Sequence, residues 1–561
     1  MTPRNDSIPA ARPTGRGARK ALVLAAAMAL VTGTTLASAA PALANSVGHT
    51  HRSDHDSALT PHTHFTMKPD GSSGLTAGGE NIPNIDVVKK TVATYYGDPG
   101  TGIANTTASP YISQMDHIVS AMRAELPHDY AMAKRSGKTP AIVLDTDDTM
   151  LETYDYEVGQ MHFNFNPGLN DADILAEGFP ATPAMVGFEN YARSLGFVVI
   201  GITGRSSTEQ AASIQNLANV GYTGFTTSNY YVKWAAGAQP SYVTCATTTC
   251  STVEYKAETR RHLEKDLGYD VALNVGDQWS DLQGGFADHI QKLPNPTYYL
   301  PSPDLPGVSE PQLAARTQFT MKADGSSGLT QGGEGIPNVD SVKATIAAYY
   351  GDTGTGTSNK SSSPYISEMQ RIIRTAAPRV AAACSTQSKR HRRPAIVLDA
   401  DDTTLWTYDM EVGAMHFVYD PTLQNYWVQN QLFPAVPSMT SLAAIAQKAG
   451  CAVIGLTGRN DDQKAATIAN LAKVGYPEFT AANYYTKWTG VGASQQPAYI
   501  TCAVANACTT IEYKSQTRAH IESAAGGDYD IVANFGDQCS DLIGGHADLD
   551  VKLPNPTYYL P

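Results

Sequence analysis

The stretch that decides the fold is Ala141-Ile-Val-Leu-Asp-Thr-Asp-Asp-Thr149. Four apolar residues run without alternation into a group of acids. Such a run is expected of a strand buried on both faces of a parallel sheet. Delivering carboxylates to its end is costly, because neighbouring acids repel and burial raises their pKa. A divalent cation or a shared proton would relieve that cost. The plainer alternative is a strand followed by an Asx-rich turn.

Outward from this stretch, the same grammar recurs. Phe197–Ile202 reads as a second buried strand and leads into Thr203-Gly204-Arg205. Val271–Val275 reads as a third and leads into Gly276-Asp277-Gln-Trp-Ser-Asp281. Helices are expected over 183–195, with Pro183 in the first turn, over Thr208–Val220, stopped by Gly221, and over Val253–Leu267, which carries Lys256. Residues 151–181 are expected to form a small cap, in which Met161-His162-Phe163 either meets substrate or holds the cap together. Alternating strands and helices define an α/β fold, a parallel sheet flanked by helices. The acids then lie at the carboxyl ends of strands, the edge at which open α/β sheets bind ligands.

The pattern is written twice. AIVLDTDDT at Ala141 returns as AIVLDADDT at Ala395, VIGITGR at Val199 as VIGLTGR at Val453, and KLPNPTYYLP closes both copies, at Lys292 and Lys552. A period this long means two whole domains in tandem, not a solenoid. The expected domains are 65–300 and 319–561, joined by a Pro-rich linker at 301–318. Every chemical group of the first copy has its twin. Asp145, Asp147 and Thr149 match Asp399, Asp401 and Thr403; Thr203 matches Thr457; Lys256 matches Lys514; Asp277 and Asp281 match Asp537 and Asp541.

Each group has an ordinary reading by itself: Thr203 as a helix N-cap, Lys256 as a solvated surface lysine, Asp277 as a loop cap. Together they make an oxygen-rich cage for a hard cation such as Mg²⁺. They supply a carboxylate nucleophile, a proton donor, and hydroxyl and N–H groups for phosphate oxygens. No Cys/His set has zinc spacing.

Composition narrows the function classes. The 561 residues carry 40 basic and 53 acidic side chains, a net charge of −13. Nucleic-acid binding is not expected. Arg12, Arg16, Arg19 and Lys20 precede an apolar segment from Ala21 that ends in Ala42-Leu43-Ala44. This reads as a signal peptide over 1–44, hence a secreted protein with no stable membrane anchor after cleavage. Residues 45–64 form a His-rich leader, read as flexible and alternatively as a metal binder.

An oxidising compartment suits the cysteines. Cys245 with Cys250 and Cys502 with Cys508 occupy corresponding places, as short-loop disulfides or alternatively as metal ligands. Cys384 and Cys451 each precede strands expected to be neighbours, so a third bridge is expected there. Cys539 is left over, standing where the first copy has Trp279, and is expected to make the second site sensitive to oxidation.

The ordered set DxDxT, apolar strand–Thr, Lys and GDxxxD resembles the haloacid dehalogenase (HAD) superfamily. The segments DTDDT, ITGR or LTGR, YK, GDQWSDL and KLPNPTYYLP resemble more narrowly its subfamily IIIB secreted acid phosphatases, the class B acid phosphatase and vegetative storage protein group. The resemblance covers about 110–301 and 364–561, and leaves 65–109 and 319–363 unexplained. It implies two tandem HAD-like Rossmannoid domains, each with a small cap insert. It implies Asp145 and Asp399 as nucleophiles forming an aspartyl-phosphate, and Asp147 and Asp401 as proton donor and then base. Thr203 and Thr457 would hold phosphate, and Lys256 and Lys514 would steady its charge. Mg²⁺ would be bound by Asp277 or Asp537 with the nucleophile and the backbone carbonyl of Asp147 or Asp401, with Asp281 and Asp541 beside it. The acid two positions after the nucleophile favours phosphoester over carbon–halogen cleavage, since only the former needs a proton donor there.

The expected function is a secreted, Mg²⁺-dependent acid phosphatase acting on small phosphomonoesters at two sites. The alternatives are a non-catalytic storage or binding protein and a phosphotransferase to alcohols. Substrate and oligomeric state are not written in the sequence.

Overall fold

The computed structural model describes residues 84–300 and 338–560, apart from 236, 505 and 506, together with Ile82, Ile336 and short strand pieces at 65–66, 75–76, 318–320 and 329–331. The signal segment, the His-rich leader and, except for Gln318, the Pro-rich linker lie outside the described residues.

Two helices open the first copy. Asn84 starts α1 (Ile85–Tyr96) by accepting from the N–H groups of Asp86 and Val87, and Gly97, at φ +70°, ends it. Ser109 caps α2 (Pro110–Arg135), whose proline occupies the first turn, where no donor is missed. The sheet follows: β1 (Thr139–Leu144), β2 (Val198–Ser206), β3 (Tyr230–Lys233), β4 (Tyr269–Gly276) and β5 (His289–Lys292). All pair in parallel, in the order β3-β2-β1-β4-β5.

The apolar run of β1 is explained by burial on both faces. Ile142 and Leu144 join a core with Met115 and Leu126 of α2, while Ala141 and Val143 pack with Tyr255 and Leu263 of the helix over the opposite face. Chain order reverses between β1 and β4, which opens a crevice at their carboxyl ends.

The second copy repeats this. Its opening helices are Val339–Tyr350 and Pro364–Lys389, and its sheet is formed by Arg393–Leu398, Ala452–Asn460, Tyr484–Lys487, Tyr529–Gly536 and Asp550–Lys552. The strand order is the same, with Arg393–Leu398 in the centre. Two parallel α/β sheets flanked by helices are the fold class the sequence calls for. Among the described residues no helix is long and apolar enough to cross a membrane.

Three local expectations are corrected. The helix expected from 183 begins at Met185, because Thr182 is drawn to the cap base, its N–H bonded to the Met150 carbonyl, and Ala184 takes a left-handed φ of +63°. The second strand does not stop at Ile202. It continues to Ser206, held by pairing of Ser206 with Lys233 on the edge strand. Thr203 therefore lies within a strand, and the next helix (Gln210–Asn219) starts well after it. The helix bearing Lys256 spans Thr252–Lys265, opened by the reciprocal cap of Ser251 and Glu254.

The 151–181 insert contains a π-helical turn (Asp155–Gln160) and a helix (Pro167–Ala176). Gly159 of that turn lies against Gly102, where a Cβ would stand 2.4 Å from the Gly159 Cα; Gly356 and Gly413 repeat the contact.

Cys245–Cys250, Cys384–Cys451 and Cys502–Cys508 are bridged, with Cα separations of 5.0, 5.2 and 4.7 Å. Cys539 is outside these bridges and buried. Where the second copy has Cys384–Cys451, the first has Tyr130 edge-on against Phe197 at 5.3 Å.

Candidate active site

At the carboxyl end of β1, Asp145 is buried, and its N–H is bonded to the Val275 carbonyl of β4. The β4 strand delivers Gly276-Asp277. Glycine is required there, since a Cβ at 276 would lie 2.4 Å from the Asp281 Cβ. A short helix (Trp279–Leu282) then carries Asp281 back over the strand end, its carboxylate accepting from the Gln278 N–H at 2.8 Å. Asp145, Asp277 and Asp281 each place an oxygen within 4.8 Å of the others. Asp399, Asp537 and Asp541 do the same in the second copy.

Lys256 comes from the helix over the sheet and is buried, not solvated. Its ammonium donates to Asp145 Oδ1 at 2.6 Å and to Asp281 Oδ1 at 2.5 Å. Lys514 donates to Asp399 at 2.8 Å and to Asp541 at 2.5 Å. Burial alone would lower the Lys256 pKa, but Asp145 and Asp281 outweigh it and hold the ammonium above its ordinary value. Burial pushes Asp145 well above the carboxylate range, with Asp281 adding to the rise and Lys256 opposing it. Burial and then Asp281 raise Asp277 to about 7, and burial and then Asp541 raise Asp537 to about 7.

Carboxylates this hard to ionise together, with oxygen donors alone, fit a hard divalent cation. One oxygen of Asp277 accepts from Asn295 and Gln278, at 2.8 and 2.7 Å, while Thr149 approaches the other at 3.3 Å.

Asp147 stands apart from this cluster. Its carboxylate turns to Arg205, which donates from Nη2 at 2.6 Å and from Nε at 3.1 Å. Arg459 holds Asp401 in the same way, from Nη2 at 2.5 Å and Nε at 3.0 Å. The Arg205 guanidinium is itself fixed, donating from Nη1 to Ser213 Oγ at 2.9 Å and lying over the Phe179 ring, 5.2 Å from its centroid. The Asp147 side chain is 30% exposed against 8% for Asp145, so of the two it is the one open to a ligand's outer end. Thr203 is buried, and its hydroxyl accepts from the Arg205 N–H at 3.2 Å.

In the second copy a cavity of about 540 Å³ is lined by Asp399, Asp401, Thr457, Lys514, Asp537 and Asp541 together. Phe417 and Tyr419 of the cap form part of its wall; the lining does not include His416.

Four further pairs belong to the site. Arg205 and Arg459 orient the outer acid. Asp148, at φ +48°, accepts from Thr153 at 2.6 Å and from Asn295 at 3.2 Å, and Asp402 is its twin. Burial raises Asp148 to about 6, against the Thr153 hydrogen bonds. Asn295 and Asn555 tie the closing segment to Asp277 and Asp537, each at 2.8 Å. The Tyr298 and Tyr558 hydroxyls approach the same carboxylates at 3.5 and 3.3 Å. All lie in motifs shared by both copies, and their repetition was the signal available in the sequence.

A buried lysine among strand-end aspartates at the switch point of a parallel sheet marks a Rossmannoid α/β protein with a charged cluster at the carboxyl edge of its sheet. The profile of the family described as HAD superfamily, subfamily IIIB (Acid phosphatase), matches residues 72–301 and 355–561. The chain belongs to that family.

The Stem 28 kDa glycoprotein of Glycine max is 34% identical over 162 residues, 28% of this chain and 59% of the relative. Acid phosphatase 1 of Solanum lycopersicum is 31% identical over 170 residues, 29% and 58% of the two chains. Vegetative storage protein 1 of Arabidopsis thaliana is 30% identical over 163 residues, 28% and 55%. The chain thus spans little more than half the length of these relatives. Among solved structures, the class C acid phosphatase from Bacillus anthracis is 22% identical, covering 38% of this chain and 86% of that one, with a TM-score of 0.28. That score is too low to bear on the site.

Proposed function

We propose that the chain is a secreted, Mg²⁺-dependent acid phosphatase that hydrolyses small phosphomonoesters at two sites, one in each of the domains 65–300 and 319–561. The observation that carries the proposal is the buried Lys256 bridging Asp145 and Asp281 beside Asp277, repeated by Lys514 with Asp399, Asp541 and Asp537.

In the first site, an Asp145 oxygen attacks phosphorus in line with the ester oxygen. The P–O bond to the leaving group breaks as Asp147 gives that oxygen a proton, leaving an aspartyl-phosphate and an alcohol. Asp147, now a carboxylate, takes a proton from water as the water oxygen attacks phosphorus. Inorganic phosphate leaves and Asp145 is regenerated. Arg205 keeps Asp147 aimed at the position that both the leaving oxygen and the water must occupy. Lys256 meets charge on the equatorial phosphate oxygens, with Thr203 on the phosphate side. Asp277, with Asp145 and Asp281 alongside, would hold Mg²⁺, which when bound neutralises phosphate charge. Asp399, Asp401, Thr457, Lys514, Asp537 and Asp541 take the same parts in the second site.

Secretion is supported by the N-terminal segment and the three disulfides. A storage role on this scaffold is kept as the second reading, because curated relatives carry that name. The two readings separate on one experiment. Phosphomonoester turnover is measured with Mg²⁺, after chelation, and in Asp145→Asn, Asp399→Asn and the double variant. Partial loss in each single variant, and loss of at least a thousandfold in the double variant and on chelation, is expected. Turnover that survives the double substitution refutes the mechanism.

A further inference from the structure

The helices that open the two copies cross over. α1 belongs to the first copy by its C-terminal end, where Tyr95 and Tyr96 pack on Tyr111 and Tyr154. Its N-terminal end is fastened to the second copy. The Asn84 amide donates to the carbonyls of Asn555 and Tyr558, at 3.1 and 2.6 Å, and the Ile85 N–H to that of Pro556, at 2.9 Å. The Asp86 carboxylate accepts from the Tyr559 N–H at 3.2 Å, and the Lys89 ammonium donates to the Phe417 carbonyl of the second cap.

The helix Val339–Tyr350 mirrors every contact. Asn338 donates to the carbonyls of Asn295 and Tyr298, at 3.0 and 2.6 Å, and the Val339 N–H to that of Pro296. Asp340 accepts from the Tyr299 N–H at 3.3 Å, and Lys343 donates to the Phe163 carbonyl. The segments seized in this way are those whose Asn555 and Asn295 side chains hold Asp537 and Asp277.

Asp86 is also part of the wall of the second copy's cavity, beside Glu411. Asp401 lines the same cavity, so the outer acid and the crossing helix border one space. Asp340, bonded to the Tyr299 N–H, holds the corresponding place toward the first copy. The crossing residue Asp86 therefore stands in the wall of the cavity that also holds Asp401.

Resting on the phosphatase reading, we propose that each catalytic pocket is completed by the opening helix of the other copy, and that Asp86 and Asp340 are specificity-determining residues that disfavour phosphomonoesters bearing a second anionic group. Neutral, hydroxyl-rich leaving groups are accepted, since a carboxylate can take their hydrogen bonds. A carboxylate or second phosphate on the leaving group meets like charge, softened by Lys89, 4.0 Å from Asp86, and by Lys343, 3.2 Å from Asp340. On this reading the two copies work as one body, because each lends a residue to the other's site.

The test uses the full chain. Asp145→Asn leaves only the second site working, and Asp399→Asn leaves only the first. Asp86→Asn is placed in each background, since asparagine still accepts from the Tyr559 N–H but carries no charge. The readout is the ratio of kcat/KM for 3-phosphoglycerate to that for glycerol 3-phosphate, two esters that differ by a carboxylate. With Asp145→Asn, Asp86→Asn is expected to raise this ratio about five- to tenfold, the order of one partly screened charge, through the KM of the phosphoglycerate. With Asp399→Asn, it is expected to leave the ratio unmoved, whereas Asp340→Asn moves it there. A ratio that stays fixed in the Asp145→Asn chain, or moves equally in both backgrounds, overturns the proposal. Equal loss for both esters does so too, since it marks a merely structural role.

If no form of the chain hydrolyses either ester, the phosphatase reading falls by itself. The pocket is then judged by calorimetric binding of the same two esters to the Asp86→Asn, Asp340→Asn chain. Phosphoglycerate binding that does not tighten relative to glycerol phosphate overturns the pocket proposal.

Discussion

Replacing Lys256 by methionine tests the electrostatic design of the site most directly. The substitution keeps most of the side chain's volume and removes one charge. The ammonium lies within 2.6 Å of two carboxylates that are themselves buried. Without it, Asp145 and Asp281 lose their shared counter-ion while Asp277 remains beside them. Breaking a buried ion pair by removing one partner costs about 3–5 kcal/mol. For a domain of this size that lowers the melting temperature by roughly 10 °C, measured without divalent cation near neutral pH. The loss should shrink toward pH 5, because the pKa of Asp145 is already raised by burial and it can take up a proton instead of standing unpaired. Added Mg²⁺ should restore much of the stability but not the activity. Turnover by the first site, read in an Asp399→Asn background, should fall about 10²–10³-fold, as for other losses of a charge-stabilising donor. Lys514→Met should act on the second site alone. If the variant melts within about 2 °C of the parent and works within twofold of it, Lys256 does not perform this task and the account of the cluster is wrong.

Other outcomes follow from the same geometry. Glu157 is buried, and burial, with Asp148 adding, raises its carboxyl to about 9. The folded chain then holds a proton there that the unfolded chain releases above about pH 4.3. Its contribution is full below that pH and is lost as pH rises toward 9. Glu157→Gln should flatten the fall of stability with pH by about 1.4 kcal/mol per unit between pH 5 and 8, measured by denaturant titration. Arg205→Gln should slow hydrolysis of alkyl phosphates about 10–100-fold in the Asp399→Asn background, and aryl phosphates much less, because only poor leaving groups depend on a well-aimed proton donor. Gly102→Ala should destabilise by about 2 kcal/mol or more in thermal melts, because the new Cβ would collide with the Gly159 backbone and sit at φ +75°.

Much of this was legible in the sequence, because burial leaves a mark that a single chain can show. The run from Ala141 to Leu144 could be apolar throughout only if both its faces were covered, and the structure covers both. The acids at strand ends, and Lys256 among them, gained weight from being written twice. Arg205 was harder to assign. Its residue type fits a solvated loop as well as a clamp, and only the prolonged β2 strand turns it onto Asp147. Strand length itself is decided by an edge partner that local sequence does not specify. The crossing helices were not legible at all. Asp86 and Lys89, one turn apart, have the pattern of an ordinary surface pair, and nothing local says that their neighbours lie in the other half of the chain.

The two copies fasten the same joint with different materials: a covalent tie between Cys384 and Cys451, a pair of rings at Tyr130 and Phe197. A cross-link closing 67 residues restricts the unfolded chain by about 4 kcal/mol on the loop-entropy estimate, whereas an aromatic pair adds about 1 kcal/mol beyond its buried area. A thiol reductant opens the short loops at Cys245–Cys250 and Cys502–Cys508 in both copies, but at this joint it loosens the second copy and has nothing to cut in the first. Since the opening helix of each copy is bonded to the closing segment of the other, loosening the joint at Cys384–Cys451 would be felt in the first copy as well, whose own joint holds no sulfur.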